Sequence, residues 1–170
     1  MPAHLLYVGT SFGDEDSPTH AILRVSLCAD SGALAVAGEP VRTDGVNPGW
    51  ISRQIDGKVY VAIEDDPGAL QAFAVSDDGN LQPLGAAVSS AGRDPCYTQV
   101  DISGKWLLTA NYTEGSVSVV PVLADGTLGP PTDSKHHQVS RGAVCCMSVV
   151  FASAEQGSSK VVARSSYEHS

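Results

Sequence analysis

Few residues of this chain have the types and spacing that chemistry requires. Glu64 begins a run of three carboxylates, Glu64-Asp65-Asp66, which could move a proton or hold a metal ion, although acids that enter a turn are commonly solvated. Asn111 could orient an oxyanion through its amide, or it could satisfy a turn. His137 follows His136, and neighbours on an extended chain face opposite ways, which disfavours one metal site holding both.

The remaining reactive residue types lack the partners that catalysis needs. The four cysteines show no CxxC spacing, so we interpret them as free thiols, and Cys96 as a small buried thiol rather than a nucleophile. There is no G-x-S-x-G elbow and no glycine-rich phosphate loop. We therefore predict that the chain needs neither a metal nor another cofactor.

Composition limits the class of protein. The 170 residues are 42% hydrophobic and only 17% charged, which is typical of a globular chain. A formal net charge of −9 argues against nucleic acid as a partner, because phosphate binding needs a basic stripe. No run approaches the roughly 18 apolar residues that span a bilayer, and the N-terminus lacks a signal-peptide pattern. We expect a cytoplasmic protein with no membrane contact.

A repeat of 47 residues is the most informative feature. Gly32, Gly79 and Gly126 are spaced by 47 and 47, and the pair Asn47-Pro48 returns 47 residues later as Asp94-Pro95. A fixed period of this size indicates supersecondary units arranged in a stack or a ring. Leucines keep the same interval: Leu34, Leu81 and Leu128.

Each unit contains four short alternating strands joined by turns. The turn signals are Asp56-Gly57, Asp78-Gly79, Ser103-Gly104 and Asp125-Gly126. The first copy starts mid-unit, so the chain is predicted to be all-β, a β-propeller fragment of about two and a half to three four-stranded antiparallel blades with an irregular C-terminal tail. An ordinary β-sandwich is the alternative. Five side chains are expected to be largely buried between blades: Trp50, Tyr60, Phe73, Trp106 and Leu107.

The pattern ends after Ser134. Residues 1–134 carry a net charge of −11, whereas residues 135–170 carry +2 and are rich in serine. We predict a partial propeller over 1–134 and a divergent tail over 135–170, produced by a changed reading frame, a retained intron or an error in the gene model. A divergent natural terminus is the alternative.

Three segments carry a resemblance to a known family: Asn47-Pro48-x-Trp50, Asp94-Pro95-Cys96 and "GKWLLTANYTEGSVSV". Over about residues 3–137 the chain resembles the seven-bladed β-propeller lactonases, which include propeller-type 6-phosphogluconolactonase and the 3-carboxy-cis,cis-muconate lactonizing enzyme. Family members are about twice as long or more. The chain therefore resembles a truncated member.

The resemblance implies a function and a set of site residues. It implies hydrolysis or formation of a small-molecule lactone, at a site that would include Glu64, Asn111 and His137 as catalytic candidates. Asp94 and Tyr112 would be substrate contacts. The chain alone is expected to be inactive and to self-associate through uncovered blade faces. The alternative is a non-enzymatic propeller scaffold that binds another protein.

Overall fold

The structure, a computed structural model, describes residues 3–10, 20–52, 56–137, 147–154 and 158–165. Within these ranges the chain forms thirteen strands and no helix, in agreement with the predicted all-β class. These ranges therefore contain no helix that could cross a membrane. The strands form four antiparallel sheets in chain order. The first sheet contains β1 (Ala3–Gly9), β2 (Ile22–Cys28) and β3 (Leu34–Val36).

The second and third sheets are complete four-stranded units. The second contains β4 (Pro48–Ile51), β5 (Lys58–Ile63), β6 (Ala69–Val75) and β7 (Leu81–Ser89). The third contains β8 (Pro95–Val100), β9 (Trp106–Asn111), β10 (Ser116–Pro121) and β11 (Asp133–His136). The last sheet pairs β12 (Met147–Ala154) with β13 (Ser158–Ser165), and β12 lies beside β8 and β9.

The predicted hairpin turns are present, and their glycines explain the recurring motif. Asp56 and Gly57 both have positive φ, 48° and 69°, the conformation that two-residue hairpins require and that Asp-Gly adopts readily. Gly79 and Gly126 also have positive φ, and each donates its backbone N–H to the carbonyl three residues earlier. The conserved spacing of these glycines therefore follows from turn geometry.

The second strands of the two complete units, β5 and β9, do not follow the 47-residue spacing: equivalent residues in these strands lie 48 positions apart. Pro48 pairs with Ile63, whereas Pro95 pairs with Asn111, which makes Asn111 the counterpart of Ile63. Counted between paired residues, the hairpin before β9 is one residue longer, because ten residues separate Thr98 from its partner Thr109 and nine separate Ile51 from Val61. The loop 112–115 is one residue shorter than the loop 64–68. The two changes cancel, so the overall period stays at 47.

Two apolar layers hold the first three sheets together. Tyr60, Phe73 and Leu107 are buried as predicted, at 3%, 0% and 0% exposure. The prediction was wrong for Trp50 and Trp106, which are 39% and 41% exposed. Trp50 reaches sideways onto Tyr97 of the next sheet, with ring centroids 4.7 Å apart, and Trp106 begins its strand beside an exposed turn.

Side chains alternate between the two layers along β5 and β6, so the second sheet packs against both the first and the third. Between the first and second sheets lie Ile22, Val59, Val61, Ile63, Phe73 and Leu81. Between the second and third lie Tyr60, Ala62, Leu70, Ala72, Val100, Leu107, Val120 and Leu128. Residues 138–146, with Cys145 and Cys146, lie outside the described ranges, so the interpretation of these two thiols stays a prediction.

Candidate functional site

Three loops meet at one end of the second and third sheets, here called the loop end: residues 64–68, 90–94 and 112–115. Gly68 donates its N–H to the Gly92 carbonyl at 3.0 Å, and Asp94 donates to the Asp65 carbonyl at 3.1 Å. These bonds join consecutive sheets. The tight hairpins at Asp56-Gly57 and Asp125-Gly126 lie at the opposite end, here called the hairpin end, because antiparallel strands alternate direction.

Glu64 leaves β5 directly into the loop end. Its backbone N–H donates to the Asn47 carbonyl at 2.8 Å, and the Asn47 amide donates back to the Glu64 carbonyl at 3.2 Å. The carboxyl packs against Gly49, where any Cβ would overlap it. Burial, and secondarily the negative charge of Asp94, raises the pKa of Glu64. The loop end therefore holds a carboxyl suited to proton transfer.

Asp94 organises its own loop. Its backbone has φ of 51°, its carbonyl accepts the Tyr112 N–H at 2.9 Å, and its carboxylate accepts the Thr113 hydroxyl. An aspartate tolerates this left-handed conformation better than most residues. Asp94 thus combines a turn role with an electrostatic effect on Glu64.

Arg93 is a functional candidate that sequence reasoning missed. Its Nε donates to Glu114 Oε1 at 2.9 Å, and a terminal nitrogen lies 3.7 Å from Asp66. The hydrogen bond to Glu114 is the main reason that the pKa of Arg93 is raised. The available signal was its position immediately before the Asp94-Pro95 pair, where the preceding unit has Val46.

Asn111 lies inside the molecule rather than at the loop surface. It is fully buried, and its Nδ2 donates to the Ser90 carbonyl at 3.3 Å and to Ser116 Oγ at 3.1 Å. Its Oδ1 has no hydrogen-bond partner among the described residues. The contacts are those of a side chain that ties β9 to the loop 90–94.

Tyr112, not Asn111, is the counterpart of Glu64. Each follows the second strand of its sheet and donates its N–H to the residue before the proline, Tyr112 to Asp94 and Glu64 to Asn47. Tyr112 is 36% exposed. His137 is exposed too, and its N–H donates to the Gly115 carbonyl at 2.8 Å.

The described residues contain no group of three or more His, Cys, Asp or Glu side chains that could hold a metal ion. Cys96 is partly buried, and its thiol donates to the Ala110 carbonyl at 3.7 Å. Cys28 and Cys96 form no disulfide within the same ranges. Among the ionisable side chains of the loop end, Glu64 and Arg93 have raised pKa values.

The sequence signature of the family described as "Lactonase, 7-bladed beta-propeller" matches residues 6–145. The chain belongs to this family. The resemblance inferred from the repeated motifs is thereby confirmed, together with the partial propeller fold. No curated protein matches the chain.

Solved structures give the same fold. A periplasmic gluconolactonase of Pseudomonas aeruginosa is 25% identical with a TM-score of 0.76, covering 88% of this chain and 44% of its own. A Bacteroides fragilis protein provisionally named 6-phosphogluconolactonase is 27% identical with a TM-score of 0.71, covering 86% of this chain and 42% of its own. A Lactobacillus plantarum protein is 19% identical with a TM-score of 0.71, covering 98% of this chain and 54% of its own. At this identity the likeness shows the fold alone. The chain spans about half the length of these neighbours.

Proposed function

We propose that the chain contributes to lactone chemistry at the loop end, with Glu64 as the group that moves a proton. The observation that carries the proposal is the raised pKa of Glu64, caused first by burial and then by Asp94. A carboxyl tuned in this way can protonate a leaving oxygen or accept a proton from water. The family match and the neighbours named gluconolactonase and 6-phosphogluconolactonase support this reaction class.

The proposed substrate is a small sugar-acid lactone. A muconate lactone, formed or opened by a carboxymuconate cyclase type of reaction, is the alternative within the same class. Asp94 and Tyr112 are proposed as substrate contacts, since Asp94 donates its N–H to Asp65 in the loop after Glu64 and Tyr112, 36% exposed, donates its N–H to Asp94. His137 is a weaker candidate, because its backbone is anchored by Gly115 of the third sheet and its side chain is exposed.

We propose that these 170 residues alone do not turn over a lactone. Opening the ring places negative charge on an oxygen, which needs preorganised donors or cations. Arg93 is the only cation in the three described loops, and Glu114 and Asp66 already share it. The acids of the loop end would therefore repel the developing charge.

Three further predictions stay proposals. The change in net charge supports a boundary after residue 134, although β11 extends to His136. Exposed apolar side chains on the first sheet, Val8 at 42% and Val36 at 68%, support self-association through an uncovered blade face. A cytoplasmic location is supported only by the sequence pattern, and one neighbour is periplasmic.

A protein-binding scaffold is the alternative function, favoured by the acidic character of the loop end.

The two functions are separated by titrating the 170-residue chain with glucono-1,5-lactone and with gluconate, and following the binding through backbone amide chemical shifts. Proton release in a pH-stat measures turnover, with the Pseudomonas gluconolactonase as positive control. We expect saturable shifts around Glu64 and Asp94 that weaken in Glu64→Gln, without turnover. Shifts absent from the loop end would reject lactone binding in favour of the scaffold.

A further inference from the structure

Tyr7 and Tyr60 occupy equivalent positions in consecutive sheets. Each lies two residues after a side chain that packs onto the glycine of the neighbouring hairpin. In the first sheet Leu5 packs onto Gly79, and a Cβ on that glycine would overlap the leucine. In the second sheet the aliphatic stem of Lys58 packs onto Gly126 in the same way.

The two tyrosine hydroxyl groups differ in their hydrogen bonding. Tyr7 Oη donates to the Gly79 carbonyl at 2.9 Å. Tyr60 is only 3% exposed as a residue and its hydroxyl donates no hydrogen bond within the described ranges, but the hydroxyl oxygen is not a fully buried, unpartnered atom, because the side chain lines a cavity. A buried tyrosine hydroxyl usually has a partner, because an unsatisfied polar group in the interior costs about 1–3 kcal/mol. The Tyr60 hydroxyl is therefore available to water or to a ligand in the adjoining cavity.

The Tyr60 side chain lines a cavity of about 220 Å³ between the second and third sheets, at the hairpin end. Lys58 and Lys105 line the same cavity, and Asp56 is the one carboxylate among the described residues of its wall. The remaining wall is mostly apolar, with Val100, Val122 and Leu123. At roughly 30 Å³ per water molecule, the space would hold an inorganic anion or a small organic acid.

We propose that this cavity is a binding site for a small oxyanion, a carboxylate or a phosphate group. The Tyr60 hydroxyl donates a hydrogen bond to the anion from below, and the ammonium groups of Lys58 and Lys105 compensate its charge. Bonds from charged donors to such oxygens are about twice as strong as neutral ones. The site lies at the end of the sheets opposite Glu64, so it is independent of the proposed lactone chemistry.

The charges near the cavity limit its affinity. Asp56 is in the wall, and Asp125 lies near Lys58, whose positive charge is the last and smallest of the influences that lower the pKa of Asp125. Lys58 Nζ donates to the backbone carbonyl of Asp56 at 3.4 Å, a long bond that an anion can replace. We therefore expect weak binding that decreases as ionic strength rises.

The equivalent cleft between the first and second sheets provides an internal comparison. It is about 660 Å³ and open, and its described wall contains His4, Asp77 and Asp78 but no lysine. Its tyrosine, Tyr7, is already satisfied by Gly79. This cleft has no pair of lysines in its described wall, and Arg24 beside it already donates to the Asp78 carbonyl at 3.3 Å, so an anion should bind there more weakly than at Tyr60.

The test is a titration of the 170-residue chain with inorganic phosphate, and separately with lactate, at constant ionic strength maintained with sodium chloride. Backbone amide shifts report the location. We expect saturable shifts at Lys58, Lys105 and Gly126 in at least one arm, and the arm that saturates identifies the class of anion. Failure of both arms to saturate, or shifts spread evenly over the surface, would overturn the site.

Variants separate a built site from loose ion binding. Lys58→Met keeps the stem that packs on Gly126 and should weaken affinity about tenfold. Tyr60→Phe removes a hydroxyl that faces the cavity and keeps the buried ring, so it should fold normally and weaken affinity several-fold. Tyr7→Phe is the matched control and should leave affinity unchanged. Equal affinities in all four proteins would contradict the proposal, and thermal melts verify that each variant is folded.

Discussion

The indole Nε1 of Trp50 donates a hydrogen bond to the backbone carbonyl of Thr98 at 3.0 Å. The bond runs from β4 to β8, the first strands of consecutive sheets, and the Trp50 ring also contacts Tyr97. A side chain thus connects two sheets that share no backbone ladder. This contact explains why a large aromatic residue is retained where 39% of its surface stays exposed.

Trp50→Phe is expected to lower the free energy of unfolding by about 1 kcal/mol, the typical net contribution of one hydrogen bond. The ring contact with Tyr97 is largely kept, so the change isolates the lost bond. Urea denaturation followed by circular dichroism measures it. Trp106→Phe is the matched control, since Trp106 is 41% exposed and no hydrogen bond from its indole is formed within the described chain. Equal losses in the two variants would show that the Trp50 bond contributes nothing specific.

The fold could be predicted from the sequence because its signals are local. Asp56-Gly57 specifies a hairpin through the two positive φ angles it tolerates, and the 47-residue interval repeats such signals. The exposed fraction of the Trp50 side chain could not be predicted, since it depends on the distance between β4 and β8. Alternation along a strand gives the face of a side chain but not the distance to the next sheet.

Glu64→Gln is expected to stabilise the chain at neutral pH relative to the parent. Burial, and then the charge of Asp94, raises the folded-state pKa of Glu64, so the folded state favours the protonated form. Stability from this group is therefore present below the unfolded-state pKa and decreases as pH rises through the folded-state value. Because a glutamine amide does not ionise, Glu64→Gln should not lose this stability as pH rises.

Thermal melts of the parent and Glu64→Gln between pH 3 and pH 8 measure the effect. The difference in melting temperature should grow as pH rises and level off above the folded-state pKa. Glu39→Gln, at an exposed position, serves as the control. A difference that shrinks as pH rises would mean that the folded state favours the ionised form, contrary to the interpretation of Glu64.

Asp101→Ala is expected to destabilise the hairpin before β9 by about 1–2 kcal/mol, through the loss of several modest hydrogen bonds. The Asp101 carboxylate accepts backbone N–H groups of Ser103, Lys105 and Trp106 at 3.1, 3.0 and 3.0 Å. Burial is the largest single influence and raises its pKa, yet these bonds and the Ser103 hydroxyl together lower the pKa below its usual value.

The pH dependence of that prediction has a definite sign. A carboxyl with a lowered folded-state pKa stabilises above its unfolded-state pKa and loses this contribution as pH falls through the folded-state value. The gap between the parent and Asp101→Ala should therefore narrow in acid, as measured by denaturation at pH 7 and below pH 4. Ile102→Ala, in the same turn but 98% exposed, should stay within about 0.5 kcal/mol of the parent. A gap that is constant with pH would exclude an ionised Asp101 as the acceptor.

The candidate site was only partly predictable, because its composition depends on register. Asn111 lies 47 residues after Glu64, but the hairpin before β9, one residue longer between paired residues, shifts the strand by one residue. A one-residue shift moves a side chain to the other face of the sheet. Asn111 therefore faces the interior, and Tyr112 takes the position at the loop end.

Asn111→Ala is expected to lower the free energy of unfolding by about 2 kcal/mol, because it removes two hydrogen bonds and leaves a small cavity. Tyr112→Phe is the matched control, since Tyr112 is 36% exposed and its recorded bond to Asp94 is made by the backbone. Urea denaturation measures both variants, and gluconate titrations show whether either alters ligand binding. If the role of Asn111 is structural, Asn111→Ala loses stability. Its gluconate affinity should then equal that of the parent once the two proteins are compared at equal folded fraction. Unchanged stability together with weakened binding would instead place the Asn111 amide in the site, as the family resemblance implies.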